Sequence, residues 1–219
     1  MKLFKNIKNW LENQEHLFYL FLFILIVPNM VLCFTEPLPF MAKVANVLLP
    51  FGCYYLLMTL SRNCGKMLWI LFLFLFFGAF QIVLLYLFGQ SIIAVDMFLN
   101  LVTTNSSEAL ELLDNLTPAI IAVIILYVPA LILGTISIIR KRKLTVEFIR
   151  RERKRAFLVF GISLLSLVGA YVQDSGYELK SDLYPLNVCY NVGLAFQRTA
   201  LTQDYHRTSK DFTFLLTKI

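Results

Sequence analysis

The chain has 219 residues, 58% of them hydrophobic and only 16% charged, with 20 Phe and a mean hydropathy of +0.71. A water-soluble domain does not carry these values, so the chain reads as an integral membrane protein with room for several spans of about 20 residues and for no large soluble domain. The net charge of +6 is weak evidence for nucleic-acid binding, because much of the basic charge lies in the one segment Arg140 to Arg155, where it reports topology.

Cysteine usage excludes more. Cys33, Cys53, Cys64 and Cys189 form no C-x-x-C pair, and His16 and His206 are the only histidines, so a zinc site built from this chain alone is not expected. Cys33 and Cys53 lie in apolar runs and read as small buried hydrophobes. The N-terminus shows no cleavable signal pattern, and the apolar run from Leu17 reads as a first anchor.

In chain order, Lys2, Lys5 and Lys8 alternate with Leu3, Phe4, Ile7, Trp10 and Leu11, a spacing that predicts a short amphipathic helix at the membrane surface. Spans are predicted at 17–34, 41–60, 68–88, 118–139 and 156–172. Pro28-Asn29 predicts a kink in the first, whose freed carbonyl must find a partner on a neighbouring helix. Pro37 and Pro39 limit the next turn. Lys43 either snorkels to the interface or lines a polar cavity, with Asn46 one turn further in. Gln81 is expected to hydrogen-bond between helices. Pro118 suits a first helical turn and Pro129 a second kink. The tail, 173–219, is mixed and largely polar, too short and too poor in apolar periodicity to form a domain of its own, with His206 and Arg207 expected at the surface.

Orientation follows because basic residues resist translocation. With the N-terminus inside, Lys2, Lys5, Lys8, Arg62, Lys66 and the Arg140–Arg155 cluster all face the cytoplasm. The fold class is therefore all-α membrane protein, with five transmembrane helices in residues 1–172, an outward loop at 89–117 and an outward tail. The basic cluster could also serve as an anionic-lipid or nucleic-acid patch, although fixing topology is the usual role of such a loop.

The outward loop holds the one long polar interruption, Asp96 to Asn115, which carries Asp96, Glu108, Glu111 and Asp114 and no Lys or Arg. Asn100, Thr104 and Glu108 are spaced by four, so a helix would place an amide, a hydroxyl and a carboxylate along one face, a cradle for a cationic or phosphorylated headgroup. The competing reading is a capping box, in which Asn105 and Glu108 exchange hydrogen bonds at a helix start. A helix starting after Asn105 would not continue the face that holds Asn100 and Thr104. Asn105-Ser106-Ser107 and Asn115-Leu116-Thr117 also match the glycosylation sequon, a pattern short enough to arise by chance.

The segment FLNLVTTNSSEALELL, after three spans and before two more, resembles the N-terminal membrane domain of the bacterial lipid A phosphoethanolamine transferases, which include the mobile colistin-resistance enzymes. Their outward loop has the form N-x3-T-x3-E, matched here by Asn100, Thr104 and Glu108. Beyond the fifth span, Tyr184-Pro185-Leu186-Asn187-Val188-Cys189-Tyr190-Asn191-Val192-Gly193 resembles the segment that links membrane and catalytic domains in that family, best at Pro185, Tyr190 and Gly193.

The resemblance implies a bacterial inner-membrane protein whose outward face is periplasmic. It also implies transfer of phosphoethanolamine from phosphatidylethanolamine to lipid A or another envelope glycan, through a phosphothreonine at a zinc site in a separate catalytic domain. Asn100, Thr104 and Glu108 would contact the lipid headgroup, with Glu108 facing the ethanolamine ammonium. The family's G-E-[ST] nucleophile motif and zinc ligands do not occur in this sequence. The expectation is therefore one module of a longer protein, a truncated reading frame, or a free-standing membrane domain, inactive as a transferase by itself and served by a catalytic domain in cis or in trans. The alternative is a non-enzymatic multi-pass protein that binds a lipid or a protein partner through the loop.

Overall fold

The computed structural model describes residues 10–88 and 106–210, with side chains described over 10–86 and 116–201. The elements are α1 (Gln14–Thr35), α2 (Phe40–Met58), α3 (Cys64–Ile70), α4 (Phe72–Phe88), α5 (Ser106–Ile139), α6 (Val146–Gln173), α7 (Leu179–Asp182) and α8 (Leu186–Lys210). Among the described residues all regular structure is helical. Four segments are each long and apolar enough to cross a membrane: α1, α2, Leu116–Ile139 of α5, and α6. The pair α3 and α4, bent by 63°, adds a fifth if it is one broken span. The protein is thus a multi-pass helical membrane protein of four to five candidate spans.

The spans α1, α2, the bent pair α3–α4, α5 and α6 run in alternating directions. The start of α1 meets the end of α5 where Ser137 Oγ donates to Gln14 Oε1 at 2.6 Å and the Arg142 guanidinium donates to the Glu12 carbonyl at 2.9 Å. The end of α2 joins the start of α6 where Arg153 donates to the Thr59 carbonyl at 2.8 Å. These contacts define a basic end; the ends of α1, α4 and α6 and the start of α5 lie away from it. Large apolar side chains such as Phe23, Phe34, Ile125, Leu165 and Val172 stay exposed along the spans. That is the expected state of a surface whose solvent is hydrocarbon.

Local chemistry explains the helix ends at the basic side. Asn63 Oδ1 accepts from Lys66 N–H at 2.8 Å and caps α3, while its amide donates to the carbonyls of Ser137 and Arg142 at 3.2 and 2.9 Å. One side chain therefore satisfies both the start of one helix and the end of another. The end of α5 closes as a Schellman motif, with Arg142 N–H donating to Ser137 O at 3.1 Å and Lys141 N–H to Ile138 O at 2.9 Å. Lys141 takes the left-handed conformation this motif requires, at φ 49°.

The observed helices depart from the predicted spans in four respects. The third span breaks at Leu71, and both halves pack against α5. In α3, Gly65 lets the backbone approach Gly134 of α5 so closely that a Cβ would lie 2.1 Å from the Gly134 carbonyl oxygen, and Trp69 Nε1 donates to Thr135 Oγ1 at 3.1 Å. In α4, Gly78 fits against Pro28 of α1 and Tyr127 of α5. Pro118 is inside a 34-residue helix rather than in its first turn. The basic residues from Arg150 onward belong to α6, which starts at Val146 with Thr145 as its cap. Finally, the tail, read as mixed and largely polar, buries Tyr177, Leu183, Tyr184 and Val188. Cys33 and Cys53 are half-buried, while Cys64 is the fully enclosed cysteine.

The Gly65–Gly134 contact predicts a contrast between two glycine substitutions. Gly65→Ala should cost on the order of 3 kcal/mol by overpacking. Gly161→Ala, where a Cβ meets nothing within 4 Å, should be neutral or stabilising by up to about 1 kcal/mol. Reversible unfolding in mixed detergent micelles would measure both, and equal effects would contradict the packing described.

Candidate functional site

The polar chemistry away from the basic end is built on a proline. Pro50, inside α2, has no N–H to give to the carbonyl of Asn46 four residues earlier. In hydrocarbon that carbonyl needs another donor. Asn29, fully buried in α1, supplies it: its Nδ2 donates to Asn46 O at 2.9 Å and also to Tyr184 O at 2.7 Å. The Asn46 side chain then reaches the tail on both sides. Its Nδ2 donates to Asp182 O at 2.6 Å, and its Oδ1 accepts from the Tyr177 hydroxyl at 2.5 Å. Burial pushes the Tyr177 phenol above its ordinary range, with the nearby Asp182 charge adding to the effect, so it remains a donor.

Tyr184 carries the tail further in. Its hydroxyl donates to Phe74 O at 3.3 Å and lies beside Gly78, where an added Cβ would meet it at 3.4 Å and the Tyr127 hydroxyl at 3.0 Å. Several buried polar atoms here have no protein partner among the described residues: Asn29 Oδ1, the Tyr127 hydroxyl, and both amide atoms of Asn187, one turn beyond Tyr184. Such atoms ordinarily pair with water or a polar group. Gln81 is fully buried as well, and Lys43, in the first turn of α2, is half-buried.

Of the residues predicted to hold a headgroup, Asn100 and Thr104 lie outside the described residues, as does Asn105 of the capping reading. The backbone of Glu108 belongs to α5, and its side chain lies outside the described ones. The helix is continuous from Ser106 through the span that begins at Leu116. Glu108 therefore stands about 12 Å of helical rise before that span, away from the basic end. The 34 residues of α5 amount to about 51 Å of helix, against about 30 Å of hydrocarbon, so the excess carries Glu108.

No group of three or more His, Cys, Asp or Glu among the described residues could hold a metal ion. His16 stacks on Trp10 with ring centroids 5.0 Å apart, far along α1 from Asn29. These residues do not furnish a zinc ligand set.

The cluster of Asn29, Asn46, Tyr177 and Tyr184 was not assembled from sequence, although signals for it were present: a polar residue directly after Pro28, another four before Pro50, and tyrosines in a tail otherwise read as polar. Comparison with protein-family models, with curated proteins and with solved structures finds no match to this chain.

Asn29→Ala would leave the carbonyls of Asn46 and Tyr184 without their side-chain donor, at about 1–3 kcal/mol for each buried orphan. Faster hydrogen exchange across 177–188, with exchange in α6 unchanged, is the expected result. Uniform acceleration across the whole chain would refute a local lock.

Proposed function

We propose that the chain is the membrane module of a phosphoethanolamine transferase acting on lipid A or another cell-envelope glycan. In this reading it sits in the bacterial inner membrane with the N-terminus cytoplasmic and with the 89–117 stretch and the tail periplasmic. The observation that carries the proposal is the order of two motifs among the spans: Asn100, Thr104 and Glu108 before the fourth, and Tyr184 to Gly193 after the fifth.

Two structural facts support it. The start of α5, which bears Glu108, and the segment around Tyr184 both belong to the part of the bundle remote from the basic end. The Tyr184 segment is also bound to the membrane helices through Asn29 and Asn46, which suits a linker that must hold a catalytic domain at a set height.

The module's work is positioning. The Glu108 carboxylate pairs with the ethanolamine ammonium, and the Asn100 amide and Thr104 hydroxyl donate to phosphate oxygens, so the phosphodiester of phosphatidylethanolamine is presented in one orientation. Transfer itself, with its zinc, belongs to a catalytic domain acting in cis or in trans.

Glu108→Gln, in a protein that joins this chain to such a catalytic domain, should lower the transfer rate roughly tenfold to a hundredfold, the worth of one charge-assisted contact. The melting temperature should be nearly unchanged. Loss of activity in step with loss of thermal stability would mean that Glu108 caps the helix and does not touch substrate.

A further inference from the structure

At the basic end, α6 carries an arrangement that topology alone does not require. Glu152 is fully buried, and its Oε2 accepts the Tyr55 hydroxyl of α2. Its Oε1 accepts from Arg151 Nε at 2.8 Å and from Arg155 Nη1 at 3.0 Å. Two guanidiniums thus converge on one carboxylate oxygen while each side chain stays more than half exposed, at 53% and 58%. The Arg151 guanidinium also lies over the Phe148 ring, 5.2 Å from its centroid. Both terminal nitrogens of Arg151, and Nε and Nη2 of Arg155, keep their N–H groups free of protein partners among the described residues.

The pair has a net charge of +1 after Glu152 is counted, and exposed Arg150 and Lys154 flank it without ion-pair partners among the described residues. Continuing the same helical face at steps of three and four gives Leu158, Ile162 and Leu165, exposed by 67%, 49% and 72%. A cationic fork therefore stands directly above a lipid-facing apolar stripe. The matching ligand has a phosphate above two acyl chains.

We propose that Arg151 and Arg155 form a binding site for an anionic phospholipid in the leaflet at the basic end. Its phosphate is held by the free guanidinium N–H groups and its chains lie along Leu158, Ile162 and Leu165. Glu152 is a positioning residue: it fixes both guanidiniums before the lipid arrives, which lowers the ordering cost of binding. An anionic headgroup is favoured over a zwitterionic one because the latter would bring its own ammonium among Arg150, Arg151, Lys154 and Arg155. This site is independent of the headgroup contacts proposed for Glu108.

The test is retention of lipid by the whole chain, purified in detergent and titrated with phosphatidylglycerol or phosphatidylcholine of equal chain length, and read by native mass spectrometry. Wild type should prefer phosphatidylglycerol by about tenfold. R151Q/R155Q should bring the two lipids near parity, R151K/R155K should recover part of the preference, and K141Q/K143Q, which removes equal charge elsewhere on the basic end, should leave it intact. Inorganic phosphate at the same concentrations should not compete, because it lacks the chains. An unchanged preference in R151Q/R155Q overturns the site. So does an equal loss in K141Q/K143Q, which would mean diffuse attraction, and so does competition by inorganic phosphate, which would mean a free-anion site. If the double variant is not monodisperse, R155Q alone carries the test with the same outcomes.

Discussion

A backbone carbonyl released inside a bilayer has no water to accept from, and the far half of this bundle is arranged around one such group, Asn46 O. Pro50 releases it, Asn29 satisfies it, and the same Asn29 amide then reaches the tail at Tyr184. The side chain of Asn46, turned the other way, takes hold of Tyr177 and Asp182. An interaction needed to repair α2 thus becomes the attachment of a segment more than a hundred residues distant in sequence. The links of Asn29 to Asn46 O and Tyr184 O and of Tyr177 to Asn46 are buried, so each is worth more to keep than its net energy in water suggests.

The basic end obeys a different economy. There the contacts are charged and partly wet: Glu12 with Arg140 and Arg142 at 3.7 and 3.8 Å is a surface pairing of at most about 1 kcal/mol. What holds this end is backbone satisfaction, through Asn63 capping two helices and Arg62 donating to Leu144 O at 2.9 Å. Glu152 is the exception, a carboxylate enclosed completely and matched by two arginines and a phenol. It joins α6 to α2, the most extensive helix pairing in the protein.

Much of the helical layout was legible in the sequence because hydropathy reports directly on lipid exposure, and the spans of α1, α2, α5 and α6 follow from it. The break at Leu71 was not legible. It contains neither proline nor glycine, and the close backbone approach of Gly65 to Gly134 beside it is a property of two helices together. The docked tail was missed for a related reason: Tyr177, Tyr184 and Val188 are isolated in a segment of mixed polarity, and their partners, Asn46, Asn29, Phe74 and Leu32, lie far away in sequence. Asn29, directly after the proline of the predicted kink, serves the carbonyl released by Pro50 on the neighbouring helix. Asn100 and Thr104 were legible only as a pattern of spacing and likeness, while the length of α5 adds a physical placement for Glu108.

The receptor for the tail has an implication for biogenesis. Its parts come from α1 and α2, which leave the ribosome before its ligand, residues 177–184. Helices in between can insert and pair while Asn29 already meets the Asn46 carbonyl, and the second acceptor of Asn29, Tyr184 O, arrives only after α6 is complete. The order of synthesis therefore allows the receptor to be present before the tail reaches it. Closure of the Asn29–Tyr184 contact marks the moment at which every span that precedes the tail has been made.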